Sequence, residues 1–141
     1  MKKKLSGYLK AKKKYLKYIR SQETVGEKFI NIDEQFNNFY IPLIKIIHND
    51  HIKFKQTRII GLSGPQGSGK STIAEILKIL LQEIYNLKVV IFSIDDFYKS
   101  LREREKMSKK ISSLFLTRGV PGSHDTKILR RCLLNLKKKK I

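Results

Sequence analysis

Residues 64–72 read GPQGSGKST, a glycine-rich stretch that ends in a lysine and two hydroxyl side chains. Its spacing, Gly64-x-x-x-x-Gly69-Lys70-Ser71, is typical of a loop whose backbone N–H groups surround a chain of phosphates. Such a loop needs glycine because its backbone takes positive φ values and approaches the ligand closely. The stretch therefore predicts a phosphate-binding loop made of Gly64, Pro65, Gln66, Gly67, Ser68, Gly69, Lys70, Ser71 and Thr72.

Two side chains of this loop have predicted roles of their own. We expect Lys70 to reach the β and γ phosphates of a nucleotide and the Ser71 hydroxyl to bind Mg²⁺. A helix that begins at about Gly69 would also point its unsatisfied N–H groups and the positive end of its dipole at the anion. The alternative is an ordinary glycine-rich turn in a lysine-rich chain, and the flanking sequence decides between the two.

The segments on both sides of the loop favour phosphate binding. Residues 57–63 (TRIIGLS) are a short β-branched apolar run, which predicts a strand. Residues 71–85 predict a helix, because their apolar side chains recur at i, i+3 and i+4. These side chains are Ile73, Ile76, Leu77, Leu80, Leu81 and Ile84. Strand, loop and helix in this order predict an α/β fold with the parallel sheet of a nucleoside-triphosphate-binding protein.

A second strand is predicted over residues 89–93, and two carboxylates follow it at Asp95 and Asp96. The carboxyl ends of parallel strands form the crevice where open α/β sheets bind their ligands. Asp95 is therefore a candidate for the base that orients and deprotonates an acceptor hydroxyl during phosphoryl transfer. Asp96 is a candidate metal ligand, and its alternative role is to cap the helix that follows.

The N-terminal third of the chain is basic and helical in its pattern. Residues 1–22 predict a basic helix, and residues 24–48 predict a second helical region interrupted at Pro42. Leu5, Tyr8, Leu9, Leu16 and Ile19 lie on one stripe of the first helix. This stripe could touch anionic lipid, although packing on the rest of the domain is favoured.

The net charge of +19 and the pI of about 10.1 suggest an anionic partner at first sight. The charge comes mainly from runs of lysine, without the aromatic interleaving of base-stacking modules, so no specific nucleic-acid partner is predicted. Cys132 is the single cysteine, and there is neither an apolar signal segment nor a run of 18 apolar residues. These features predict a cytoplasmic location without a membrane span.

Three segments together resemble a known enzyme family. GPQGSGKST (residues 64–72), IDDFY (residues 94–98) and RGVPGSHD (residues 118–125) resemble the phosphate-loop kinases that include phosphoribulokinase, uridine kinase and pantothenate kinase. Within this group the form of the three segments is most similar to the D-glycerate 3-kinase family. The resemblance covers residues 59–136 and implies an ATP-dependent kinase that uses Mg²⁺ and phosphorylates a small hydroxyl acceptor, D-glycerate, to give 3-phosphoglycerate.

The resemblance also assigns roles by position. It implies that Asp95 is the catalytic base and that Arg118, His124 and Asp125 contact the acceptor. A cation suits the carboxylate of glycerate, and a carboxylate suits its hydroxyls. A structural alternative stays open, in which Pro121 and Gly122 turn the chain and Ser123 or Asp125 caps a helix over residues 126–136.

The resemblance divides the chain into a basic helical N-terminal extension, residues 1–56, and the N-terminal half of a kinase domain, residues 57–141. In the related kinases the strand between the two predicted strands, the adenine site and the lid come later than residue 141, so we expect an incomplete sheet. Such a chain would bind nucleotide without detectable turnover. The alternatives are a related kinase with another acceptor, such as a nucleoside, pantothenate or a sugar phosphate, and a nonenzymatic fragment that binds nucleotides or polyanions. The oligomeric state cannot be predicted.

Overall fold

The computed structural model describes residues 2–138, so the end of the C-terminal lysine run lies outside the described residues. Its regular secondary structure is helical. The α-helices are α1 (Lys2–Ser21), α2 (Ile32–Gln35), α3 (Ile41–Phe54), α4 (Lys70–Tyr85), α5 (Leu101–Lys110) and α6 (Thr126–Lys138). A π-helical turn, Phe36–Tyr40, joins α2 to α3, and two 3₁₀ turns span Ile94–Phe97 and Ser113–Leu116. The chain forms two compact units, Met1–Ile91 and Phe92–Ile141.

The core of the first unit lies between α1, the segment from α2 to α3, and α4. Each helix contributes side chains at i, i+3 or i+4 spacing, so one face of each is apolar. The buried residues are Ala11, Tyr15, Ile19, Phe36, Tyr40, Ile44, Ile47, Ile76, Leu77, Leu80 and Leu81. This core contains residues from both sides of residue 56. The boundary predicted there stays a prediction.

Aromatic rings occupy the centre of this core. The Tyr15 ring lies 5.0 Å from the Phe36 ring and 5.6 Å from the Tyr40 ring, measured between centroids. Because Tyr15 is fully buried, its hydroxyl needs a partner, and it donates to the Ile32 carbonyl at 2.9 Å. Burial raises the pKa of Tyr15 to about 12. The phenol therefore stays protonated and ties α1 to the start of α2.

Helix α1 confirms the predicted basic helix and packs on the domain. Of the predicted apolar stripe, Ile19 is buried, and Tyr8 and Leu16 pack against the core, whereas Leu9 is 60% exposed. Leu5 lies outside the described side chains. Lysines on the neighbouring face, Lys10 and Lys14, both reach the Glu83 carboxylate of α4, at 2.9 and 2.5 Å. No helix within residues 2–138 is long and apolar enough to cross a membrane.

The second helical region differs from its prediction in three ways. It begins at Ile32 rather than at residue 24, it continues to Phe54 rather than to residue 48, and it does not break at Pro42. Pro42 lies in the first turn of α3, where its missing N–H costs no intrahelical hydrogen bond. The π-helical turn Phe36–Tyr40 ends before α3 and does not include Pro42.

The predicted sheet is the main correction. Neither residues 57–63 nor residues 89–93 form a strand, and no backbone hydrogen bond joins these segments to one another in the described chain. A β-strand requires a neighbour that satisfies its N–H and C=O groups. Both segments therefore remain irregular, and their apolar side chains Ile59, Ile60, Leu62, Val90 and Ile91 are exposed.

The second unit is held together by backbone contacts around Tyr98 and His124, which form an isolated antiparallel bridge. Lys99 N–H donates to the Ser123 carbonyl at 2.9 Å, and Asp125 N–H donates to the Phe97 carbonyl at 2.6 Å. These bonds bring the segment after the first 3₁₀ turn next to the segment before α6. Residues that the sequence separates by 26 positions thus become neighbours.

Candidate functional site

The predicted phosphate-binding loop ends at the first turn of α4, in the first unit. Gly69 precedes the helix with φ 76° and ψ 17°, and Gly67 has φ 77°. A β-carbon at either position would meet no atom within 4 Å, so backbone conformation and not space selects glycine there. The open surface beside these glycines is the space that a phosphate chain would need.

Helix α4 supplies donors to this surface. Ile73 N–H donates to the Gly69 carbonyl at 2.9 Å and is the first N–H in the helix with such a partner. The N–H groups of Lys70, Ser71 and Thr72 have no acceptor inside the helix, as at every helix N-terminus. Unpaired N–H groups and the helix dipole together favour an anion at this position.

The loop holds its own shape through short contacts. Ser68 N–H donates to the Pro65 carbonyl at 3.3 Å, and a β-carbon at Gly64 would stand only 2.8 Å from Ser68 Oγ. Lys70 Nζ also donates to the Pro65 carbonyl, at 2.6 Å. The ammonium group therefore lies over the loop.

In the second unit, Asp95 and Asp96 occupy different environments although they are adjacent. Asp96 Oδ2 accepts the Ser93 N–H at 2.8 Å, and Ser93 Oγ accepts the Asp95 N–H at 3.2 Å. This reciprocal cap stabilises the 3₁₀ turn Ile94–Phe97. The Asp95 side chain is 73% exposed and projects from the turn. The next helix, α5, is capped by Ser100 and Glu103, so the alternative prediction that Asp96 caps this helix is wrong. Asp96 takes part in the cap of its own 3₁₀ turn.

Three of the predicted site residues lie around one aromatic ring, that of Tyr98. The His124 imidazole stacks on this ring at 4.1 Å between centroids and 26° between planes. The Arg118 guanidinium carbon lies 5.5 Å from the ring centroid. His124 Nε2 in turn lies 3.8 Å from Asp95 Oδ1. A carboxylate, an imidazole and a guanidinium thus form a polar cluster, which we call the Tyr98 cluster.

The hydroxyl of Tyr98 faces charged groups at the edge of this cluster. Partial burial of the phenol and the nearby Asp95 carboxylate raise the pKa of Tyr98. The phenol is therefore neutral at physiological pH and can donate a hydrogen bond. Sequence reasoning assigned no role to Tyr98, although its position in the Asp-Phe-Tyr segment was the available signal.

Asp125 lies beside the cluster but has a structural partner. Its Oδ1 accepts the Ile128 N–H at 2.9 Å and so caps α6, as the structural alternative predicted. The turn before it matches the same alternative, because Gly119 and Gly122 have φ values of 88° and 90°. Contact of Asp125 with an acceptor stays a prediction. The cap uses Oδ1 of Asp125, so Oδ2 could make this contact.

The residues of the loop at positions 64–72, together with the carboxylates of the Ile94–Phe97 turn, fit the nucleotide and the metal that the sequence implies. The loop offers backbone N–H groups, one ammonium group and the exposed Ser71 hydroxyl to phosphates. In residues 2–138 no group of three or more His, Cys, Asp or Glu side chains could hold a metal ion by itself. Mg²⁺ would accordingly take most of its ligands from phosphate and water, which is its common mode in phosphoryl-transfer sites.

Comparison with known proteins gives similarity to kinases. The chain is 44% identical over 77 residues to the uncharacterized kinase mug58 of Schizosaccharomyces pombe, which covers 53% of this chain and 27% of the relative. It is 34% identical over 104 residues to the chloroplastic D-glycerate 3-kinase of Arabidopsis thaliana, covering 64% of this chain and 22% of the relative. It is 31% identical over 125 residues to the pantothenate kinase of Bacillus subtilis (strain 168), covering 74% of this chain and 37% of the relative.

These three relatives are all named as kinases, and the two whose names give an acceptor differ in it, D-glycerate in one and pantothenate in the other. The aligned part of the chain spans between 22% and 37% of the length of each of these three relatives. No protein-family model matches the chain. No solved structure matches it either.

Proposed function

We propose that this chain carries the phosphate-binding loop and acceptor-side residues of an ATP-dependent kinase that transfers the γ-phosphate to a hydroxyl group. The observation that carries the proposal is the geometry at the start of α4. Positive φ at Gly67 and Gly69 opens a surface onto the unpaired N–H groups of the first turn, and Lys70 lies above it. The similarity to three kinases supports the same activity.

The roles in this reaction follow from the chemistry of the side chains. Lys70 binds the β and γ phosphates and offsets the charge that develops on the transferring group. Ser71 and Asp96 assist Mg²⁺, which when bound neutralises the phosphate oxygens. Asp95 accepts the proton of the acceptor hydroxyl as the new O–P bond forms and ADP leaves. Its exposed carboxylate can receive this proton without rearrangement of the turn.

D-glycerate is the acceptor that we propose, with 3-phosphoglycerate as the product. Arg118 would pair with the carboxylate of glycerate, and the remaining oxygens of Asp95 and Asp125 would meet its hydroxyls. The second candidate is a related kinase reaction on pantothenate, which the similarity to the Bacillus subtilis enzyme favours. A guanidinium next to a carboxylate and an imidazole fits either acceptor, because both carry a carboxylate and a hydroxyl.

Nucleotide binding tests the loop directly. We expect Mg·ATP to bind to the 141-residue chain in a calorimetric titration and Lys70→Ala to weaken this binding by at least tenfold. Lys88→Ala is the matched control, because Lys88 is exposed outside the loop. Equal binding by Lys70→Ala and the parent chain would remove the loop from the proposed function.

Release of ADP with D-glycerate, pantothenate and uridine tests the reaction, in this chain and in any longer natural form of the protein. In a form that turns over, we expect Lys70→Ala to lower kcat/KM at least about a hundredfold, or some 2.7 kcal/mol. A loss of less than fivefold would contradict the role of Lys70. Turnover with uridine alone would overturn the proposed acceptor and leave the kinase activity in place.

A further inference from the structure

His124 has a ring nitrogen that is unsatisfied in the second unit. Nε2 is shielded from solvent and has no hydrogen-bond partner. Buried polar atoms in folded proteins nearly always have partners, so an exception asks for a functional explanation. The neighbouring charged group is the Asp95 carboxylate, whose Oδ1 lies 3.8 Å from Nε2. This distance is longer than a hydrogen bond by about 1 Å.

The position of the His124 ring is fixed from two sides. Stacking on Tyr98, at 26° between the ring planes, limits rotation of the imidazole. The backbone of His124 is held by its bridge to Tyr98, and the His124 carbonyl accepts from Lys99 Nζ at 3.1 Å. Nε2 therefore keeps its place near Asp95, and any approach must come from the carboxylate.

Asp95 is the more exposed partner in this pair. Its side chain is mostly exposed, whereas its backbone N–H is held by Ser93 Oγ. Rotation of the carboxylate alone can close the gap to Nε2, because the 3₁₀ turn does not need to move. The result would be a hydrogen bond from the imidazole N–H to Oδ1.

We propose that His124 is a positioning residue for Asp95. In its neutral form it carries its proton on Nε2 and donates it to Asp95 Oδ1. Oδ2 then faces the acceptor hydroxyl and takes its proton when the hydroxyl oxygen bonds to the γ-phosphorus and the bond from this phosphorus to ADP breaks. This assignment rests on the proposed function, since it needs Asp95 as the base. It differs from the sequence-based interpretation, in which His124 contacts the acceptor itself.

The charges around the pair are compatible with this arrangement. The Arg118 guanidinium carbon lies 5.5 Å from the Tyr98 ring centroid, and Lys99 Nζ donates to the His124 carbonyl. An ionised carboxylate accepts hydrogen bonds but cannot donate them. An ionised carboxylate next to a neutral imidazole requires the donor to be the imidazole, and this fixes the tautomer.

The tautomer can be measured without catalysis. Long-range ¹H–¹⁵N NMR on the 141-residue chain at about pH 8.5, well above the ordinary imidazole range, reports which ring nitrogen carries the proton. His124→Gln identifies the signals of His124, and His48 and His51 in the first unit serve as internal references. We expect the Nε2–H form to dominate at His124 in the parent chain.

Removal of the carboxylate gives the decisive comparison. Asp95→Ala should move the His124 Nε2 signal and increase the Nδ1–H form, and the two reference histidines should not change. Glu105→Ala is the control for loss of a negative charge, because Glu105 is exposed on α5. An Nδ1–H form in the parent chain, or His124 signals that do not change in Asp95→Ala, would overturn the proposal and favour direct contact of His124 with the acceptor. Neither outcome affects nucleotide binding by the loop.

Kinetics separate positioning from acceptor binding in any form of the protein that turns over. His124→Leu should lower kcat about ten- to hundredfold while the acceptor KM changes less than about twofold, because misorientation of the base affects the chemical step. His124→Gln keeps an N–H group at a similar reach and should restore part of kcat. A rise in the acceptor KM with unchanged kcat would contradict the positioning role.

Discussion

Gly7 in α1 lies directly against the backbone of Glu83 in α4. A β-carbon at Gly7 would stand 2.9 Å from the Glu83 carbonyl oxygen, which is closer than real β-carbons approach. The two helices can come this near only because Gly7 has no side chain. The same approach brings Lys10 and Lys14 within reach of the Glu83 carboxylate.

We predict that Gly7→Ala destabilises the first unit. Alanine in a helix gains about 1 kcal/mol over glycine, whereas forcing an extra atom into a packed contact costs about 1–3 kcal/mol. The steric cost exceeds the gain in helix propensity here, because the opposing atom belongs to a helix backbone and cannot rotate away. Urea denaturation should give a loss of about 1 kcal/mol for Gly7→Ala and more for Gly7→Val. Ser6→Ala, at an exposed position one residue earlier, should give no such loss.

The ion pairs at Glu83 predict a pH dependence. Hydrogen bonds from Lys14 and then Lys10 lower the pKa of Glu83 from its usual value of 4.5. A carboxylate with a lowered pKa stabilises the fold above its unfolded pKa, and this contribution disappears as the pH falls through the folded value. Glu83→Gln should therefore cost about 1 kcal/mol at pH 7 and almost nothing in strong acid.

Denaturation midpoints between pH 7 and pH 3 measure this effect. Glu34→Gln is the control, because Glu34 is exposed on α2. If Glu83→Gln destabilised the unit equally at both ends of this range, the pairing with the two lysines would not be the cause.

The helices of the first unit were predictable from the sequence because their signals are local. The periodicity of residues 71–85 and the glycine at position 69 specify α4 almost to the residue. The start at Ile32 was not predictable in the same way. Residues 24–31 are apolar enough to continue the pattern, but α2 begins only after Asn31, which takes a positive φ of 52°.

The strands could not be predicted reliably, since a strand depends on a neighbour that is distant in sequence. Residues 57–63 and 89–93 have strand composition, and composition alone does not provide a hydrogen-bonding partner. The Tyr98 cluster was predictable only in part. Its polar residues were identified from the resemblance to a kinase family, and the cap by Asp125 was predicted as the structural alternative. The role of Tyr98 as the shared ring depends on the bridge between distant segments.

Arg104 provides a third prediction, which concerns the second unit. Its buried guanidinium donates from Nη1 to the Leu116 carbonyl at 2.6 Å and from Nε to the Lys99 carbonyl at 3.3 Å. Charged hydrogen bonds are worth about 1.5–3 kcal/mol, and removal of the donor leaves carbonyls without a partner. Arg104→Met should lower the free energy of unfolding of this unit by about 2 kcal/mol.

The exposed neighbour Arg102 offers the control for Arg104 on the same helix. Thermal or urea denaturation, followed by amide signals of the second unit, should show a loss of stability for Arg104→Met and no loss for Arg102→Met. Equal effects of the two variants would indicate that net charge, and not the two carbonyl contacts, determines the stability.

The irregular segments that were predicted as strands give a fourth prediction. Their exposed apolar residues include Ile60 and Val90, whose side chains are 52% and 68% exposed. Exposed β-branched segments without a partner pair readily with other chains. We expect concentration-dependent self-association of the 141-residue chain, and the double variant Ile60→Lys with Val90→Lys should reduce it in light scattering. Ile46→Lys, at a similarly exposed position on α3, should leave the association unchanged.

Arg118 gives the prediction that tests the acceptor side of the proposed function. Its guanidinium lies over the Tyr98 ring and is exposed, so it can form a bidentate pair with a carboxylate without leaving the cluster. Arg118→Ala should raise the KM for a carboxylate-bearing acceptor about tenfold while the KM for ATP changes less than about twofold. Arg118→Lys keeps the charge but not the planar fork and should give an intermediate value. Arg130→Ala removes an exposed arginine from α6 and should change neither constant. Equal increases in both KM values after Arg118→Ala would point to a loss of folding and would remove Arg118 from the acceptor site.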